Sequence, residues 1–99
     1  MTATLFKIDG TEQTVKPQNG ENFTLSELRE MLGCEWIEPI YLKSQTTNED
    51  LIMIGDEEAR LFDNYVVNTK ATEMYQESWN RKDLDIVGNI VLCPSSMLK

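Results

Sequence analysis

The eight residues Ile86-Val87-Gly88-Asn89-Ile90-Val91-Leu92-Cys93 constrain the fold more than any other stretch. Their apolar side chains fall on both sides of an extended chain, so the run reads as a strand buried on both faces and central in a sheet. Pro94 closes it. A second apolar run, Leu51-Ile52-Met53-Ile54, reads as its companion. Ninety-nine residues are enough to close one core of this kind and leave little area for a second module.

The remaining elements follow from turn and cap chemistry. Residues 4–8 and 11–15 flank Asp9-Gly10, which predicts a hairpin with a two-residue type I′ turn. In that register Lys7 faces Glu12, and Phe6 and Ile8 share a side with Val15. Phe23-Thr24-Leu25-Ser26-Glu27-Leu28 carries a capping box, Thr24 with Glu27, and a hydrophobic staple, Phe23 with Leu28. Leu25, Leu28, Met31 and Leu32 line one side of that short helix, and Gly33 stops it. Residues 35–43 are β-rich, and Pro39 within them lacks an N–H, which places them at a sheet edge or a bulge. Residues 44–49 read as a loop. Asn68 caps a second helix to about Trp79, with Ala71, Met74, Tyr75, Ser78 and Trp79 at the spacing of one face. Residues 95–99 read as a short tail. The order β-β-α-β-β-α-β describes an α+β domain: a mostly antiparallel sheet of about five strands with two short helices packed against it.

Composition removes whole classes of chemistry. The chain has no histidine, hence no Ser-His or Cys-His nucleophile pair and no histidine-based zinc site. No P-loop, GxGxxG or other cofactor signature occurs, and no calcium-loop pattern, so neither cofactor nor metal is expected. The net charge of −8, spread over both halves, disfavours direct binding to DNA, RNA or anionic lipid. Cys34 and Cys93 show no CxxC spacing, lack a partner base, and read as separate, partly buried thiols. The first ten residues have no leader character, and no run is long enough to span a bilayer, so a cytosolic protein is expected. Trp36, Tyr41, Tyr65, Tyr75 and Trp79 are better explained by core packing than by an aromatic pocket, because Tyr75 and Trp79 share a helix face with Met74.

One concentrated set of ionisable groups remains: Asp56, Glu57 and Glu58, followed by Arg60. A charged run leaving a buried strand must emerge at the surface. Arg60 and the start of the second helix, at Asn68 and Thr72, supply the nearby positive features. The candidate contact site for a protein partner or a small anion is therefore Asp56, Glu57, Glu58, Arg60, Asn68 and Thr72. Three classes compete. The leading one is a non-enzymatic binding or interaction protein. The second is an acidic decoy that imitates a nucleic acid and blocks a basic enzyme. The third, a small carboxylate enzyme at Glu57 and Glu58, demands a deep pocket beside them.

From Leu28 to Cys93 the chain resembles an uncharacterised family of small bacterial proteins carried by phages, plasmids and conjugative elements. The likeness rests on the helix ending at Gly33, the strand opening Trp36-Ile37-Glu38, and the passage from residues 51–54 into Asp56-Glu57-Glu58-Ala59-Arg60-Leu61. Asn68 and the stretch Ile86-Val87-Gly88-Asn89 complete it. Ala59-Arg60 stands where that family shows Gly-Lys, and Asp56 where it shows Asn. The resemblance implies an accessory of a mobile element and assigns no activity.

Overall fold

The structure, a computed structural model, describes residues 3–42, 51–61, 65–79 and 85–97, the Arg60 side chain excepted. The loop expected at residues 44–49 lies outside them. Five strands, β1 (Ala3–Phe6), β2 (Glu12–Val15), β3 (Ile37–Tyr41), β4 (Leu51–Asp56) and β5 (Ile90–Pro94), form one sheet in the order β2-β1-β5-β4-β3. Every neighbouring pair is antiparallel. The helices are α1 (Leu25–Leu32) and α2 (Thr69–Trp79). The α+β architecture expected from the sequence is the one observed, and β5 holds the centre.

The period-2 alternation of the strands divides the core in two. Ala3, Leu5, Ile52, Ile54, Val91 and Cys93 point to one face, where Phe23, Leu28 and Met97 cover them. Met53 and Ile90 point to the other, where Ala71 and Ile86 are buried and Met74 and Tyr75 pack against them. The helices thus cover opposite faces, which explains why β5 is apolar on both. Gly55 belongs to this economy of space, since a Cβ there would lie 2.7 Å from Ile90 Cδ1.

The first helix follows its sequence signals. Thr24 accepts a hydrogen bond from the Glu27 amide at 3.2 Å, Glu27 accepts one from the Thr24 amide at 3.4 Å, and Gly33 ends the helix at φ 67°. Leu25 departs from the expected apolar side and is half exposed, while Leu28 is fully buried.

The hairpin differs by one residue. Phe6 faces Glu12 and Ala3 faces Val15, so Lys7 is not opposite Glu12. The loop has three residues: the Lys7 amide donates to Thr11 O at 2.9 Å and the Gly10 amide to Lys7 O at 3.0 Å. Asp9 Oδ1 accepts from the Thr11 amide and hydroxyl, at 2.9 and 2.6 Å, which also holds the Asp9 carboxyl below its ordinary pKa. These bonds fix Asp9 and leave only Gly10, at φ 91°, to turn left-handed, the arrangement of a three-residue loop with a bulge. A slip of one residue exchanges faces. Val15 consequently joins Ala3 and Leu5, and Glu12 turns to the α2 side, where it pairs with Lys70.

Two further expectations are corrected. The regular strand begins at Ile90, because Gly88 at φ 82° interrupts the run and Val87 instead bridges Val67. The first part of the tail is packed, since residues Ser95–Met97 form a 3₁₀ turn with Met97 buried and its carbonyl accepting from the Phe23 amide at 2.7 Å.

Candidate functional site

The six residues singled out by sequence separate into two groups. Asn68 is 1% exposed and has no polar atom to spare. Its Nδ2 donates to Phe6 O and Gly88 O, both at 2.9 Å, and its Oδ1 accepts from the Ala71 amide at 3.1 Å. Its backbone amide donates to Ile86 O at 2.7 Å. Thr72 Oγ1 accepts from the Ile86 amide at 2.8 Å and donates to Ile86 O at 3.2 Å. Both side chains rivet α2 to the sheet. The structure therefore removes Asn68 and Thr72 from the site, because a buried polar group whose bonds are all made offers nothing to a ligand.

Asp56, Glu57 and Glu58 behave differently. Asp56, at the end of β4, is half-buried, and Glu57 and Glu58 are exposed. Asp56 Oδ1 accepts from the Glu58 amide at 2.9 Å, starting the turn that runs into Ala59–Leu61. The Glu57 amide donates to Trp36 O at 2.9 Å, which extends the β3–β4 ladder by one pair and sets the acidic turn against Trp36. The Arg60 side chain lies outside the described residues.

A groove of about 740 Å³ opens at this end of the molecule. One wall is the stripe Ser26, Arg29 and Glu30 of α1 with its C-cap Gly33, residues that recur at the spacing of one helix side. Cys34, Glu35 and Trp36 form the next wall, and Asp56 and Glu58 the third. A second open groove of about 480 Å³ shares Trp36 and Glu58 and adds Glu57 and Leu61. Trp36 is 56% exposed and Leu61 75% exposed. Core packing, the expectation for the aromatics, therefore fails for Trp36, as it does for the exposed Tyr41, Tyr65 and Trp79.

Among the described side chains, the larger groove sets one cation, Arg29, among Glu30, Glu35, Asp56 and Glu58. Arg29 Nε is buried without a hydrogen-bond partner among the described residues. Such an atom costs about 1–3 kcal/mol. Burial pushes the Cys34 thiol above its ordinary pKa, Asp56 adds to the rise, and Arg29 partly opposes it. The thiol stays protonated at neutral pH and is no nucleophile. Glu57 and Glu58 border the open groove shared with Trp36 and Leu61, and Glu57 also lines a smaller cavity of about 120 Å³ with Glu38 and Asp85. Among the described residues no group of three or more His, Cys, Asp or Glu converges on a metal position, and no helix is long and apolar enough to cross a membrane.

The neighbouring edge is closed to strand addition. The Trp36–Glu57 bond makes Glu38–Gly55 and Ile40–Met53 the hydrogen-bonded pairs of the β3–β4 ladder, so Ile37, Pro39 and Tyr41 face outward. Pro39 presents no donor there, and the Tyr41 carbonyl accepts from Trp79 Nε1 at 2.9 Å. Sequence reading anticipated the edge position of Pro39 but missed Trp36, Arg29, Glu30, Glu35 and Leu61. A usable signal existed: a tryptophan directly after Glu35 and three residues past the helix stop at Gly33 has little claim to a core.

Comparison with known proteins gives no matching family profile, no matching curated protein and no matching solved structure.

Proposed function

We propose that this chain is a non-enzymatic interaction protein that engages a protein partner through the groove at Trp36. The observation that carries the reading is a tryptophan left largely in solvent at the junction of two grooves, beside an exposed leucine. Exposed tryptophan is enriched among the residues that dominate binding energy, where a surrounding rim excludes water from a central anchor. The protonated Cys34 thiol weighs against a cysteine nucleophile.

The competing acidic decoy draws support from the net charge and from five carboxylates gathered at one end, Glu30, Glu35, Asp56, Glu57 and Glu58. A decoy needs carboxylates as its principal surface. This end instead centres on indole and leucine, which favours the interaction reading. The resemblance to small proteins of phages and plasmids supports a role as an accessory of a mobile element.

Site-specific photocrosslinking in the native host tests the reading. A benzophenone amino acid at position 36 or 61 is expected to give one discrete adduct, and the same group at Gln13, on the remote strand β2, to give none. Displacement of that adduct by duplex DNA would favour the decoy. Equal labelling from all three positions would contradict a site at Trp36.

A further inference from the structure

We propose that the groove receives an arginine-bearing segment of the partner, with the guanidinium stacked on Trp36 inside the carboxylate rim and an adjoining aliphatic side chain against Leu61. The proposal rests on the interaction reading and adds the chemistry of what is bound.

Four features select this occupant. Among the described side chains the larger groove carries Glu30, Glu35, Asp56 and Glu58 against the single cation Arg29, a balance that favours a positive guest. Trp36 offers an exposed aromatic face within that field, the arrangement a cation–π contact requires. Arginine suits it better than lysine, because a planar, weakly hydrated guanidinium stacks on indole while its fork of donors reaches carboxylates. The smaller groove shares Trp36 and Glu58 and ends on Leu61, so a segment lying across both meets charge first and apolar surface next.

The manner of docking is also constrained. Strand addition to β3 is blocked by Pro39 and by the Trp79–Tyr41 bond, so the segment crosses the groove between α1 and the end of β4.

The test uses the full chain with three fluorophore-labelled hexapeptides that alternate leucine with arginine, lysine or glutamate, and binding is read from the anisotropy of the label. The arginine peptide is expected to saturate the signal, with affinity falling at least about tenfold between 50 and 500 mM NaCl. The triple variant Glu35→Gln, Asp56→Asn, Glu58→Gln is expected to lose roughly tenfold as well, and the glutamate peptide not to bind. Weaker binding of the lysine peptide supports the stacked guanidinium. Equal affinity for the lysine peptide overturns that choice of side chain. No saturation by the arginine peptide up to millimolar, or binding indifferent to the triple variant, overturns the cationic guest. If the adduct from position 36 persists in that case, the interaction reading stands without this chemistry; if both are absent, the two fall together.

Discussion

Thr24 and Asn68 open the two helices and carry the same kind of sequence signal, yet the structure uses them differently. Thr24 exchanges hydrogen bonds with Glu27, three residues on, at the surface of the α1 side. Asn68 sits in the interior and binds Phe6, Gly88 and Ala71, which belong to β1, to the approach to β5 and to α2. One cap closes a helix. The other reaches parts of the chain up to 62 positions away from it. An N-cap preference is local chemistry, but its cost when lost depends on how many buried partners it leaves behind.

The largest expected effect is at Asn68. Asn68→Ala removes the donors to the carbonyls of Phe6 and Gly88 and leaves the buried Ala71 amide without its acceptor, and is expected to destabilise by roughly 3 kcal/mol in urea unfolding. Asn68→Asp retains the acceptor but removes both donors and buries a charge, so it should fare no better. A loss under 1 kcal/mol would show that the interior cap is no hub.

A pH scan probes the opposite face of the sheet. Burial raises the Cys93 thiol from 9.0 to about 11. The folded state therefore favours the protonated thiol, and this stabilisation is complete below pH 9 and lost as pH rises through about 11. The decline is of order 2 kcal/mol. Cys93→Ala should lower stability at neutral pH but flatten the slope between pH 9 and 11; an unchanged slope would assign the decline to other groups.

Thr24→Ala removes only a local bond and is expected to cost about 1 kcal/mol. Should it match Asn68→Ala, the contrast between the caps collapses. Lys70→Ala breaks a pair with Glu12 whose side chains are 43% and 49% exposed, and is expected to cost about 0–1 kcal/mol, vanishing in high salt.

Sequence legibility followed the same division between local and distant chemistry. The α1 capping box, Pro39 at an edge and the central β5 each depend on a few adjacent residues or on simple alternation, and each is found. The hairpin register failed because the side chain of Asp9 bonds Thr11 and selects a three-residue loop, a competition that the Asp9-Gly10 pair alone does not reveal. Met97 was read as tail because its burial depends on Phe23, far away in sequence. At the candidate site the acidic turn was visible as a charge cluster. Its partner surface was not, because Trp36 and the Arg29–Glu30 stripe meet Asp56 only when α1 lies over the sheet. Asn68 misled for the converse reason: its capping signal was real, and burial converted it from a binding feature into a structural one.

Trp36→Ala tests the central claim most directly, with unfolding and partner crosslinking from position 61 measured on the same protein. A side chain that is mostly in solvent contributes little to the core, so the midpoint of unfolding should stay within experimental error of wild type while the crosslinked adduct disappears. A Trp36→Ala protein that retains the adduct at full yield, or that loses stability as Asn68→Ala does, would contradict the assignment of this groove as the working surface.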